Sequence, residues 1–227
     1  MSDPRGHAVR TVRVGLAAAL AIALSLLLDR WAFDVLYYPA VHENDLGRLL
    51  RSVGSLGFWA LLATAVWLER RAGTDPRRRG AALLLLAPVA SGAVAEVLKL
   101  LLRRERPVPH GGDWVFRSFA ERPFSTSGLA LPSSHVMVAF AGAVILARIF
   151  PRAAPVAYLL AAGCGLTRLL SHGHFLSDVA VGAVAGWAIG ALVWHRFGRQ
   201  RPSGIIGAVS GERSAVSGER SAVSGER

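Results

Sequence analysis

Cysteine is nearly absent from this chain. Its one thiol, Cys164, lies inside an apolar run. One thiol closes no intramolecular disulfide and builds no thiolate cage, so a disulfide scaffold and a cysteine-bound metal domain are both excluded. Cys164 reads as a small packing residue. Lysine is as scarce: of 26 basic residues one, Lys99, is Lys and the rest are Arg. Acids are outnumbered, 15 against those 26, which leaves a formal net charge of +11. Such an excess raises nucleic acid as a partner. The bases, however, sit between long apolar runs, so a membrane surface accounts for them and nucleic-acid binding is set aside.

What the chain does have is apolar sequence, 52% of its 227 residues. Six apolar stretches stand out: Val12 to Leu28, Ser52 to Leu68, Gly80 to Leu102 (interrupted by Glu96 and Lys99), Val136 to Phe150, Ala153 to Leu170 and Phe175 to Trp194. A membrane span needs about 20 apolar residues, so several of these must borrow flanking residues or tilt little. In lipid the backbone has to satisfy its own hydrogen bonds, which makes the stretches helices, and their Ala, Gly and Ser content suits close helix packing. The expectation is an all-α fold: a polytopic membrane bundle of six transmembrane helices, with a short extramembrane cap at 108–131 between the third and fourth. The first stretch follows Arg5, Arg10 and Arg13 in the manner of a signal peptide. But Asp29, Arg30 and Trp31 come directly after it, where a small-residue cleavage site should lie, so it reads as a retained first helix.

The loops orient the bundle. Arg70, Arg71, Arg77, Arg78 and Arg79 lie between the second and third stretches, Arg148 and Arg152 between the fourth and fifth, and Arg196, Arg199 and Arg201 after the last. With six spans these fall on one side together with the basic N-terminus, and that side is cytoplasmic. The third connection, with Arg103, Arg104, Arg106, Arg117 and Arg122, then faces outward against the rule. Anion binding would explain the exception. The Ala- and Arg-rich composition and short loops point to a bacterial inner membrane, with both termini cytoplasmic and the third connection periplasmic. The membrane domain spans 1–202. After it, SAVSGER occurs at 214–220 and 221–227, preceded by GAVSGER at 207–213. With no apolar face to bury, residues 203–227 read as a disordered tail.

Three motifs carry chemistry. Lys99-Leu-Leu-Leu-Arg-Arg-Glu-Arg106-Pro107 places a Lys and an Arg seven residues apart, about two helical turns, with Pro107 to stop the helix. On its own this equally suits bases snorkelling at a membrane boundary. Pro132-Ser133-Ser134-His135 opens the fourth stretch, where hydroxyls and backbone N–H groups can meet an anion, or where Ser merely caps a helix. Thr167-Arg168 ends the fifth stretch, and His174 and Asp178 follow at a spacing of four. A carboxylate in an apolar segment needs a partner, and one bonded to an imidazole nitrogen leaves the other nitrogen as a nucleophile. His172 and His174 could suggest a metal pair, but no carboxylate or Cys set accompanies them, and no metal or cofactor is implied. Counting spans brings all three motifs to one face: two His, one Asp and three bases, a compact anion site with acid–base groups.

These residues resemble the type 2 phosphatidic acid phosphatase superfamily, whose pattern is K-x6-R-P, P-S-G-H and S-R-x5-H-x3-D. The chain reads KLLLRRERP, PSSH and TRLLSHGHFLSD with those spacings. Ser134 stands where the family has Gly, and Thr167 where it has Ser. The resemblance implies that Lys99, Arg106 and Arg168 hold phosphate oxygens, helped by Ser133 and the Ser134 N–H. It implies that His174 attacks phosphorus and is oriented by Asp178, and that His135 is the acid and then the base. The substrate class it implies is a lipid phosphate: undecaprenyl diphosphate, phosphatidic acid, phosphatidylglycerophosphate or lipid A. A lipid phosphotransferase would use the same residues. A non-catalytic lipid transporter or binder would not need His174 or Asp178. Nothing in the sequence speaks to oligomeric state.

Overall fold

The computed structural model describes residues 4–69 and 76–198. Among them the helices are α1 (Pro4–Val35), α2 (Asp45–Ser52), α3 (Leu56–Glu69), α4 (Pro76–Leu102), α5 (Ser134–Ile149), α6 (Ala154–Leu170) and α7 (Leu176–Val193). No β-strand forms among the described residues. Two isolated bridges, Arg104 to Phe116 and Glu105 to Leu129, tie the long α4–α5 connection to itself. The repeat tail expected at 203–227 lies outside the described residues.

The apolar stretches become helices, with two changes of boundary. The first runs past Leu28 to Val35. The charges that seemed to end it find partners: Arg30 pairs with Asp34 one turn on in the same helix at 3.1 Å, and Asp29 is buried against α7. The second is filled by α3, and a further helix, α2, precedes it. α2 and α3 meet at a bend of 74°. Asn44 caps α2 by accepting from the Gly47 N–H at 2.7 Å. At the bend the buried Trp59 indole donates to the Val53 carbonyl at 2.8 Å, and Ser55 Oγ accepts from the Phe58 N–H at 3.3 Å to start α3.

Among the described residues four stretches are long and apolar enough to cross a membrane: Val12–Val35, Arg79–Leu102, Pro151–Leu170 and Leu176–Gly198, and α2 with α3 makes a fifth if the bent pair is one span. α5, at 16 residues, is shorter. Its position explains its length. Nine of its residues are buried, and α4, α6 and α7 pack around it, so its extent is matched to protein neighbours rather than to hydrocarbon thickness. α1, by contrast, shows Leu16, Leu20 and Leu27 on an open flank, as a lipid-facing helix does.

α5 and α7 pack backbone to backbone. Gly182, Gly186 and Gly190 recur every four residues and face the α5 backbone. A β-carbon at Gly186 would stand 2.3 Å from the Met137 carbonyl oxygen, and one at Gly190 2.8 Å from that of Ala141. Small residues at this spacing let two helix backbones touch where lipid offers no hydrophobic drive. Gly186→Val is therefore expected to cost about 1–3 kcal/mol or to prevent accumulation of folded protein. Gly57→Ala, where the nearest atom is 4.0 Å away, should leave thermal unfolding in detergent nearly unchanged. Equal melting of the two variants would refute this packing.

Candidate active site

The three motifs meet at one end of the bundle, where α4 stops, α5 starts and α6 turns into α7. α4 ends at Leu102, five residues before Pro107. The helical spacing read between Lys99 and Arg106 therefore does not hold, because Arg106 lies beyond the helix. The cause is Arg103, which takes a left-handed φ of 55°. Its buried guanidinium gathers the carbonyl oxygens of Arg117 at 3.1 Å, Ser118 at 2.8 Å and Glu121. The chain then runs extended: the Arg106 N–H donates to Gly128 at 3.0 Å, and the Ala130 N–H donates to Arg104 at 2.7 Å. Glu105 braces this loop by accepting from Arg117 at 2.7 Å and pairing with His110 at 2.6 Å. Those bonds, Arg117 foremost, hold its carboxyl below the usual range.

Lys99 is buried and donates to Glu96 Oε1 at 2.9 Å and to Ser134 Oγ at 3.0 Å. The Ser that replaces the family's Gly thus brings a hydroxyl to the lone lysine. Ser133 precedes α5. Its N–H donates to the Asp178 carbonyl at 3.1 Å, which joins the starts of α5 and α7. Its Oγ is buried with no hydrogen-bond partner. His135 is half-buried in the first turn of α5. The α2–α3 bend closes over it: a β-carbon at Gly54 would lie 2.7 Å from His135 Cβ.

Arg168, in the last turn of α6, is buried, and its Nε has no partner. Gly173 gives its guanidinium room, since a β-carbon there would stand 2.8 Å from Nη2. Arg106 reaches the same place with an exposed side chain, and its charge acts on both Arg168 and His174. Neither Arg106 nor Arg168 forms an ion pair with a carboxylate among the described residues. Guanidiniums without carboxylate partners and a buried unpartnered hydroxyl at one bundle end are groups that an anion would satisfy.

His174 lies two residues before α7, buried. Its Nδ1 is 3.6 Å from Asp178 Oδ2, longer than a hydrogen bond. Asp178 already accepts from the Phe175 N–H at 2.7 Å. Burial pushes the His174 imidazole down to about 4, against the upward pull of Asp178. The ring is thus neutral at pH 7, with Nδ1 the nitrogen that stands by the carboxylate. His172 is apart from it: its ring stacks on Phe33 at 4.1 Å and lies 4.4 Å from Tyr37.

Four buried polar residues at this end were not picked out from sequence as site residues: Asp29, Arg103, Arg104 and Ser177. Arg104 pairs with Asp178, and its Nη2 donates to Ser177 Oγ at 2.8 Å. Asp29 Oδ1 accepts from the Ser177 N–H at 2.7 Å. A carboxylate at the end of an apolar run was the available signal for Asp29.

An all-helical membrane protein that gathers two histidines, a carboxylate and unpaired guanidiniums at one bundle end belongs, as a class, with membrane-embedded enzymes that process anionic substrates. Residues 80–202 match the model of the PAP2 superfamily, and the chain belongs to that superfamily. It is 30% identical over 195 residues to a lipid A 1-phosphatase of Rhizobium etli, covering 78% of this chain and 82% of that one. It is 34% identical over 119 residues to a decaprenylphosphoryl-5-phosphoribose phosphatase of Mycobacterium tuberculosis, covering 52% and 62%. Its fold is similar to the crystal structure of a transmembrane PAP2-type phosphatidylglycerolphosphate phosphatase from Bacillus subtilis, with a TM-score of 0.51 and 20% identity over 87% of this chain and 92% of that one. The protein is an integral membrane lipid phosphate phosphatase.

Proposed function

We propose that this phosphatase removes a phosphate monoester from a glycosylated envelope lipid of the lipid A class through a phosphohistidine on His174. The observation that carries the reading is the convergence of His174, His135 and the unpaired Arg106 and Arg168 at one bundle end, with Ser133 Oγ aimed at no partner. A relative matched over most of both chains at 30% identity is a lipid A 1-phosphatase, which favours that lipid over undecaprenyl diphosphate, phosphatidic acid and phosphatidylglycerophosphate.

In the first step the neutral His174 Nε2 attacks phosphorus in line. The P–N bond forms as the P–O bond to the lipid breaks, and His135 gives the leaving oxygen a proton. In the second step His135 takes a proton from water, whose oxygen displaces His174 and releases inorganic phosphate. Lys99, Arg106, Arg168, Ser133 and the Ser134 N–H hold the phosphoryl oxygens and offset the charge that builds on them, so no metal is required. Six membrane crossings, with α5 and the α2–α3 pair each counted as one, keep both termini on one side, and the arginine-rich connections on that side make it the cytoplasm. The 103–133 loop then caps the site from the periplasmic side.

Three outcomes follow from this reading. A reporter fused at Gly112 should read outside and one at Thr74 inside; the reverse moves the chemistry to the cytoplasm. Chelator should leave phosphate release from lipid A 1-phosphate nearly unchanged while vanadate inhibits; loss in chelator with recovery on adding a divalent ion contradicts the cationic cradle. His174→Ala should abolish turnover of every substrate. His135→Ala should slow lipid hydrolysis about 10²–10⁴-fold, yet still give a burst of nitrophenol from nitrophenyl phosphate, which needs little protonation on leaving. A burst in His174→Ala and none in His135→Ala would exchange the two roles.

A further inference from the structure

The polar network behind His174 reaches beyond the motifs. Asp29, from α1, is 2% exposed. It accepts from the Ser177 N–H at 2.7 Å and from the Ser177 hydroxyl at 2.5 Å, and it stands 3.6 Å from Arg104 Nη1. Arg104, also 2% exposed, donates from Nη2 to Ser177 Oγ at 2.8 Å and to Asp178 Oδ1. Its guanidinium carbon lies 4.9 Å from the Phe175 ring and 5.6 Å from that of Trp114. With its ends engaged by carboxylates and aromatic rings against it, Arg104 is not available to a phosphate. It faces the back of the site, whereas Arg106 and Arg168 carry no such partners.

The arrangement assigns the two oxygens of Asp178 to different duties. Oδ1 is taken by Arg104. Oδ2 is left for the Phe175 N–H at 2.7 Å and for the His174 ring at 3.6 Å. A carboxylate free to turn could instead meet Arg168 or Arg106, the bases that face His174. Asp29 in turn offsets the Arg104 charge: one guanidinium sits between two carboxylates, so the cluster keeps a net negative charge toward an imidazole that becomes cationic as the P–N bond forms.

We propose that Arg104 and Asp29 are positioning residues for the reaction, which hold Asp178 in the orientation that serves His174, and that α1 is therefore part of the catalytic unit although the family match begins at residue 80. The proposal rests on His174 being the nucleophile.

The test uses the full chain in detergent, nitrophenyl phosphate as probe, and kcat and kcat/KM against pH. The charged and titratable groups around His174 are Asp178 on α7, Arg168 on α6, Arg106 and Arg104 after α4, His135 on α5 and Asp29 on α1. His174 must be neutral to attack, so the acid limb of kcat/KM follows its protonation. Asp29→Asn removes a negative charge and should move that limb to lower pH. Arg104→Gln removes a positive charge and should move it to higher pH. Both should lower kcat on the order of tenfold to a hundredfold, the size seen for partners that hold metal-bound imidazoles, with KM within about threefold. Arg104→Lys keeps the charge but not the fork. It should recover part of kcat with the limb unmoved, and with the isosteric Asp29→Asn it carries the test if Arg104→Gln does not fold. Limbs that stay at the wild-type pH in Asp29→Asn and Arg104→Gln, with only the amount of folded enzyme reduced, would overturn the proposal. So would an Arg104→Lys variant whose KM rises while kcat holds, because Arg104 would then be a substrate ligand. An inactive His174→Ala beside wild-type behaviour of the Asp29 and Arg104 variants sinks this inference alone. An active His174→Ala sinks the reading beneath it.

Discussion

One buried guanidinium organises the site end of this protein. Arg104 lies between Asp29 of α1 and Asp178 of α7, and its own backbone belongs to the loop that leaves α4. Three segments distant in sequence are therefore joined at one cation. A bilayer interior supplies no water to replace a missing partner, so each member of such a cluster depends on the others. Taking one partner from a buried ion pair typically costs about 3–5 kcal/mol, because the remaining charge is left uncompensated. The same interaction that fastens α1 to α7 also fixes how Asp178 can turn, so in this region fold and chemistry share their contacts.

The division of the bases follows from that constraint. Arg103 and Arg104 are buried and engaged, the first by backbone carbonyls and the second by carboxylates. Arg106 and Arg168 carry no carboxylate partner among the described residues. Four arginines that look alike in sequence thus separate into two that build the loop and its attachment and two whose positive charge is left toward the histidines. Desolvation disfavours a charged His174, and a neutral imidazole is the nucleophilic form.

Much of this was legible in the sequence. Apolar runs long enough for lipid can only be helices, and the motifs stand at their ends, so the meeting of Lys99, Ser133, Ser134, His135, Arg168, His174 and Asp178 at one bundle end followed from counting spans. The misreadings have physical causes. Hydropathy passes over α2, because Asp45, Arg48 and Arg51 make it polar, and the bend into α3 depends on Trp59 and Ser55 finding a local acceptor and donor. It misjudged the end of α1, because Asp29 finds its partners far along the chain, in hydrogen bonds from Ser177, 148 positions away, and in the charge of Arg104. It placed Arg106 on a helix, because nothing in the run from Lys99 to Pro107 announces that Arg103 will turn left-handed to collect loop carbonyls. Long-range partners of buried charges are not written in local spacing.

The central claim is that phosphorus changes hands twice, first to His174 and then to water. The direct measurement is the stereochemical course at phosphorus, followed with a lipid thiophosphate made chiral by oxygen isotopes and hydrolysed in isotopic water. Two in-line displacements predict net retention of configuration in the thiophosphate released. Net inversion would mean that water attacks the lipid phosphate directly, and would contradict a phosphohistidine at His174.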